Sequence, residues 1–403
     1  MHLVHLSLTN FRNFIRLEKD FSAGSTLLVG ANAQGKTSLL EAIHYLCGAN
    51  SPHTTNDRQL INFLAQNDAT PVARVVAEVR RRDRPQRIEI RLIVESATLK
   101  GEGRLRKEVL INGVKRRVRD LAGVFNAVMF LPQDMQVIEG PPSERRRLLN
   151  TAISQADPTY ADALAEYAKV LSQRNALLKQ LQERNGDPEE MTFWDTQLCE
   201  LGGTLIRARA LALYELEQLA KQNHHELSRG EETLRLAYLP SFDPISRPEN
   251  QLDLPLDTPM DRTSIGHEAI RSGMLTELER TRQDEIGRGM TLIGPHRDDF
   301  AFFANGIDLR LYGSRGQNRS AMLSMKLAEV EWLQGRTGEV PVLLLDEVLS
   351  ELDPERRVDL LSRVDTAEQS ILTAADLEMF EQGFCQRATM WEIKGGTVSP
   401  SKA

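Results

Sequence analysis

Eight residues constrain this chain more than any others: Gly30-Ala31-Asn32-Ala33-Gln34-Gly35-Lys36-Thr37, which match G-x-x-x-x-G-K-[ST] at every fixed position. They lie between the apolar run Leu27-Leu28-Val29 and the helical pattern Ser38–Leu46. A strand that passes through such a loop into a helix is a nucleotide-binding P-loop, and the flanks confirm the pattern. Gly30 and Gly35 let the backbone aim several N–H groups at phosphate, while the helix dipole adds positive charge at the same spot. Lys36 would reach the β- and γ-phosphates of ATP, and Thr37 would offer its hydroxyl to Mg²⁺. The bland reading, a glycine-containing turn with a chance lysine, makes both flanks coincidences.

At 403 residues the chain exceeds one ordinary domain, and 41% hydrophobic content can bury a real core. One large domain plus a second lobe is expected. A net charge of −7 argues against coating nucleic acid through bulk charge, though local basic stretches can still touch it. Cys47, Cys199 and Cys385 are far apart and form no C-x-x-C, which fits a reducing compartment. No basic-then-apolar leader opens the sequence, and nowhere do about 18 apolar residues run uninterrupted. The expectation is a soluble, cytoplasmic protein with no membrane partner.

Residues 2–30 alternate apolar and polar side chains, which predicts an edge hairpin feeding the P-loop strand, with Asn10-Phe11-Arg12-Asn13-Phe14 as its turn. Val72 to Ile93 also reads as β. Val109–Val114 reads as a hairpin closed by Asn112-Gly113 in a type I′ turn. From Arg74 to Arg119 there are 15 Lys or Arg against 6 Asp or Glu, including Arg80, Arg81, Arg82, Arg116 and Arg117. Two readings stay open here: a solvated face of an antiparallel sheet, and a nucleic-acid face. Pro142–Leu149 reads as a helix start with Ser143 as its cap, and Arg145, Arg146 and Arg147 crowd its first turn. Cations there oppose the helix dipole, so an external anion would help.

Periodic apolar residues over Tyr160–Leu181 and Phe193–Leu219, separated by Asn185-Gly186-Asp187-Pro188, predict a helical hairpin. Residues 240–263 are acidic and carry five prolines, which predicts a long loop, followed by a helix from about Ile265 to Ile286. A second Asn-Gly hairpin is expected at Phe302–Ile307. His296 reads equally as a packed histidine and as a group touching ATP. Met322, Met325 and Trp332 read as core.

Val340–Leu345 is a buried type of strand that ends in Asp346-Glu347. In P-loop ATPases the Asp would hold Mg²⁺ and the Glu would polarise the attacking water. Before it lies Ser314-Arg315-Gly316-Gln317, ahead of an amphipathic helix. These four residues resemble the S-G-G-Q signature of ABC-type ATPases, in which the signature of one protomer closes over the γ-phosphate on the P-loop of the other. The resemblance implies ATP-driven homodimerisation. It also implies Gln133 as a Q-loop residue near the metal and the attacking water, and Ser350-Glu351-Leu352-Asp353 as a D-loop contributing Asp353. One part departs: Ile371-Leu372-Thr373-Ala374 stands where transporter ATPases carry a histidine.

More narrowly, the chain resembles the RecF family of bacterial DNA repair and replication-restart proteins. The blocks that carry this are Asn10–Phe14, Leu131-Pro132-Gln133-Asp134 through Gly140-Pro141-Pro142 to Arg145–Asn150, Gly294-Pro295-His296-Arg297-Asp298-Asp299, and Ser314–Gln317. That family more usually has Asp where Asn150 stands. The resemblance implies an ATP-dependent DNA-binding dimer for gapped DNA or single-/double-strand junctions. It further implies help with recombinase loading, RecO- and RecR-type partners and support of the SOS response, with weak DNA-stimulated ATPase activity. It places Arg12 and Asn13 near the nucleotide. Arg80, Arg81, Arg82, Arg116, Arg117, Arg145 and Arg146 become candidates for DNA phosphates, read by shape rather than sequence. The fold expected is α/β: a P-loop ABC-type ATPase head with an antiparallel β subdomain and a helical second lobe. Its parts would be 1–150, the lobe 151–288, and 289–403. The rivals are the ATP-hydrolysing subunit of a transporter and an ATP-binding scaffold that never hydrolyses. The missing histidine and the helical insertion disfavour the first, and Glu347 the second.

Overall fold

The computed structural model describes residues 1–67, 70–82, 84–95, 103–184, 186–243 and 262–400. Most of the expected proline-rich loop, 244–261, lies outside the described residues. Along the chain the strands are β1 (His2–Phe11), β2 (Phe14–Asp20), β3 (Gly24–Val29), β4 (Val72–Arg81), β5 (Arg84–Val94), β6 (Leu105–Ile111), β7 (Val114–Arg116) and β8 (Ala127–Phe130). Then come β9 (Leu234–Leu239), β10 (Asp299–Ala304), β11 (Ile307–Asp308), β12 (Val342–Asp346), β13 (Gln369–Ala374), β14 (Thr389–Lys394) and β15 (Thr397–Pro400).

Two compact units result: Met1–Asp134 with Glu329–Ala403, and Met135–Ala328. The limits expected at 150 and 289 therefore shift outward, because 135–150 and 289–328 pack with the helices. The reason is local. Strand β10 pairs with β9 over Phe300↔Tyr238 and its neighbours, and Arg145 clasps Asp299 at the start of β10.

The first unit holds two sheets. One is antiparallel, in the order β2-β1-β4-β5-β6-β7, with the expected edge hairpin at one end. The other runs β15-β14-β3-β13-β12-β8 and is parallel except for β15. Every residue of β12 and β13 is buried, as befits strands of a parallel sheet covered on both faces. One core joins Leu3, Leu6, Leu8 and Phe11 of β1, Leu39 and Ile43 of the helix Lys36–Tyr45, Leu344 of β12 and Ile371 of β13. The P-loop helix is thus fixed by both sheets. Asn112 and Gly113 have φ of 51° and 78°, and Asn305 and Gly306 of 48° and 78°, as the two type I′ turns require.

Much of the basic run is paired within the antiparallel sheet. Arg74 and Arg91 both donate to Glu89, at 2.7 and 2.6 Å, while Arg106 and Lys115 lie 3.1 and 2.9 Å from Glu108. The Arg74 hydrogen bond first, and then Arg91, hold the Glu89 carboxyl at about 2, against an ordinary 4.5. A depressed carboxylate stabilises the fold fully above its unfolded value and loses that contribution as pH falls through its folded value. Glu89→Gln is expected to cost on the order of 2 kcal/mol near neutrality. Melting both proteins from pH 6 to pH 2 checks this: the gap should close on the acid side. A gap independent of pH would assign the loss to packing instead.

The second unit contains the helices Pro142–Ala156, Pro158–Arg184, Thr192–Leu227 and His267–Arg288, with a three-stranded sheet in the order β11-β10-β9. The helical hairpin and the following helix match expectation, with longer arms. Ser143 is not a cap: Pro141 takes that position and Pro142 opens the helix. Met322, Met325 and Trp332 are buried. No helix among the described residues is long and apolar enough to cross a membrane.

Candidate nucleotide-binding site

Strand β3 delivers the chain into the loop, and Gly35 at φ 116° turns it into the helix Lys36–Tyr45. A Cβ on Gly35 would lie 2.4 Å from Asn13 Nδ2, and one on Gly30 would lie 2.4 Å from the Ile393 carbonyl oxygen. Both positions therefore exclude any side chain. Asn13 Nδ2 donates to the Gln34 carbonyl at 2.9 Å, and the Gly395 and Gly396 amides donate to Gln34 Oε1 and O. The loop's shape is held from outside itself.

Lys36 is buried and its ammonium donates to the Gly30 and Ala31 carbonyls at 2.6 and 3.2 Å, with Glu347 Oε1 at 2.9 Å. The Thr37 hydroxyl lies 3.0 and 2.8 Å from the two Asp346 oxygens. Parallel pairing sets Thr373 of β13 beside Asp346, where its hydroxyl donates to Asp346 Oδ1 at 2.8 Å and accepts from the Glu347 amide at 2.9 Å. So Thr373, within the stretch that departs from the transporter pattern, ties the Asp346 carboxylate to the Glu347 backbone. Glu347 itself adopts the left-handed region at φ 51°, a strained choice for a non-glycine residue.

A cleft of about 650 Å³ opens over this cluster, lined by Asn13, Asn32, Ala33, Lys36, Thr37 and Glu347 among others. Sequence reasoning missed its apolar wall. Ile15, Phe63 and Leu64 also line it, at 58%, 75% and 61% exposure. Asn62 holds that wall in place: its Nδ2 donates to the Arg12 carbonyl at 2.6 Å and its Oδ1 accepts from the Leu64 amide at 2.9 Å. An exposed aromatic has no periodicity to betray it. Arg12 lines the cleft too, but its Nε and Nη2 both donate to buried Glu41 at 2.7 Å, so it braces the wall.

Other expected residues lie elsewhere. Gln133 is exposed, contacts His53 at 3.1 Å and is not part of the cleft lining. Asp353 caps the helix Pro354–Thr366 through the Arg356 amide and pairs with that residue's guanidinium. Within the second unit, Ser314 and Gln317 cap the helix Arg315–Thr337 reciprocally, each backbone amide donating to the other's side chain, at 2.9 and 3.2 Å. Arg315 and Gly316 are exposed there. His296 is a packed histidine of that unit: it contacts the Tyr167 hydroxyl at 2.8 Å, and burial pushes its imidazole down to about 4.

Among the arginines, Arg80, Arg82, Arg116 and Arg117 are exposed, while Arg81 and Arg82 lean toward Glu339 at 4.0 and 3.6 Å. Arg145 is a correction. It is fully buried, grips Asp299 with two hydrogen bonds and donates to the carbonyls of Val137, Ile138 and Gly140, leaving nothing for DNA.

A glycine-bounded cradle at a helix N-terminus suits a triphosphate, and a hydroxyl beside one carboxylate suits Mg²⁺, which keeps few protein ligands. The fold and site define a P-loop ATPase head of the ABC and SMC class. The chain belongs to the RecF/RecN/SMC N terminal domain family, whose profile matches residues 2–395, and within it to the RecF proteins. It is 42% identical to the DNA replication and repair protein RecF of Roseiflexus castenholzii over 415 residues, covering all of both chains. It is 40% identical to that of Chloroflexus aurantiacus, covering 99% of each. Among solved structures it is similar to the recombination mediator RecF with ATP in the RecFOR pathway. That likeness has a TM-score of 0.84 and 31% identity, over 100% of this chain and 98% of the other.

Proposed function

We propose that this chain is an ATP-controlled DNA-binding protein of recombinational repair and replication restart. ATP and Mg²⁺ bind at the P-loop, two copies close around ATP, and the dimer holds gapped or junction DNA. RecO- and RecR-type proteins act with it in loading recombinase and supporting the SOS response, in the cytoplasm. The observation that carries this reading is the convergence of Thr37 and Lys36 on Asp346 and Glu347, from opposite ends of the sequence. The names of the RecF relatives supply the biological setting.

Lys36 is poised to exchange its carbonyl and Glu347 contacts for phosphate oxygens. Thr37 and Asp346 would hold Mg²⁺, which when bound neutralises phosphate charge. Glu347 orients the attacking water and accepts its proton. Ser314–Gln317 of a second copy would close the site, and Arg80, Arg116 and Arg117 offer exposed charge to DNA.

Light scattering of the Glu347→Gln chain, with and without ATP and then with a gapped duplex, tests the reading. A dimer that needs ATP and binds DNA in a salt-sensitive way is expected. A monomer under every condition would end the closure in trans. The apolar wall gives a second test. Stacking on an aromatic side chain is worth about 1–3 kcal/mol per base, so Phe63→Ala should weaken ATP roughly tenfold. Tripolyphosphate, lacking a base, should bind both proteins alike; equal loss for both ligands would remove Phe63 from base recognition.

A further inference from the structure

Three arginines open the helix Pro142–Ala156, at the end where the dipole already repels cations. Two of them have carboxylates. Arg145 has Asp299, at 2.6 and 3.0 Å, and Arg147 has Glu144 at 2.5 Å. Arg146 differs: its Nη1 donates to the Asp298 carbonyl at 2.7 Å, and among the described residues no carboxylate oxygen lies within ion-pair distance of it.

Arg297 is held in the same manner. Its Nε and Nη2 rest on the Thr291 carbonyl at 3.4 and 3.2 Å, and Nη2 also meets Met290 Sδ at 3.3 Å. The nearby carboxylates are committed. Asp298 accepts from the Tyr238 hydroxyl and from the Ser241 amide and hydroxyl, with buried Arg209 at 3.8 Å; Asp299 serves Arg145. Four guanidiniums, those of Arg145, Arg146, Arg209 and Arg297, thus share two carboxylates. Neutral His296 adds no charge. Burial first, and then Arg209, push Arg146 below the ordinary arginine range; Asp299 and Asp298 oppose that shift, and Arg297 adds to it.

We infer that Arg146 and Arg297 form a contact for backbone phosphates of nucleic acid on the helical unit, through Arg146 Nε and Nη2 and Arg297 Nη1. Carbonyl contacts fix both guanidiniums without cancelling their charge, and a planar fork suits a phosphodiester. Arg297 is exposed, so the contact is open to a long polyanion. This assignment rests on the DNA-binding reading above and adds a surface on the second unit to it.

The test is the salt dependence of binding to a gapped duplex, by fluorescence anisotropy of the full chain with ATP. Each phosphate contact contributes about 1 to the slope of log K against log salt. Arg146→Gln and Arg297→Gln should each lower the slope by about 1, the pair by about 2, while Arg146→Lys and Arg297→Lys retain it. Unchanged slopes in the Gln variants, with wild-type binding intact, overturn the assignment alone. So does a loss of inorganic phosphate binding by calorimetry with DNA slopes unaltered, which would mark a free-anion site. Should Arg146→Gln disturb the fold, Arg297→Gln must still show its loss, or the assignment fails. Wild-type protein that binds no DNA would instead remove the functional reading itself.

Discussion

Replacing Glu347 with glutamine is expected to slow ATP turnover at least a hundredfold while leaving ATP affinity equal or tighter. Two properties of this side chain point in the same direction. Its carboxylate follows Asp346, the proposed Mg²⁺ holder, by one residue; with its backbone at φ 51° and its amide bonded to Thr373, it lines the cleft beside Lys36 and Thr37. A positioned general base contributes about 10²–10⁴ in rate, and an amide cannot accept the proton. The same carboxylate stands 2.9 Å from Lys36, competing with phosphate for the ammonium. Glutamine removes the competitor as well as the base. Single-turnover hydrolysis separates the two effects from nucleotide binding measured by fluorescence. Wild-type turnover in the variant would strip Glu347 of its role. Weakened ATP binding would mean that the Lys36–Glu347 pair supports the cradle rather than guarding it.

The P-loop and the Asp346-Glu347 strand end were legible because their physical demands are compressed into contiguous residues: glycines where no Cβ fits, then a lysine, then an apolar run ending in carboxylates. Both hairpins with Asn-Gly turns were legible for the same reason. What stayed hidden depends on partners distant along the chain. Arg145 looks like a surface cation at a helix start; its partner Asp299 is 154 residues away, and nothing local foretells the burial. Thr373 reads only as a departure from a transporter pattern until β13 lies in register with β12. The limits of the helical unit were misplaced because β9 and β10 meet across about 60 residues, drawing 289–328 away from the head. Phe63 was silent because exposure, not pattern, makes it notable.

Arg174→Ala should be the most damaging single change in the helical unit. Its guanidinium is fully buried and binds three elements at once: Asp195 on the helix Thr192–Leu227, Glu285 on the helix His267–Arg288, and the Thr291 hydroxyl, each at 2.7 Å. Asp195 also accepts from Arg282 at 3.1 Å, and Glu285 also accepts from the Leu292 amide at 2.8 Å. Removing one partner of a buried ion network costs about 3–5 kcal/mol, because the surviving charges keep their desolvation without compensation. Burial already raises the Glu285 carboxyl above the ordinary range, so without Arg174 it should take up a proton, and the damage should shrink as pH falls. Two units make a single unfolding energy ill-defined. Hydrogen exchange of residues 158–184, 192–227 and 267–288 is therefore the measurement, with large loss of protection expected there and little in β3, β12 and β13. Adding Asp195→Asn and Glu285→Gln to Arg174→Met should restore part of the protection, since neither buried carboxylate is then left uncompensated and Arg282 keeps Glu189 at 3.3 Å. If that triple variant were as frail as Arg174→Ala, the shape of the guanidinium rather than its charge would hold the three helices together.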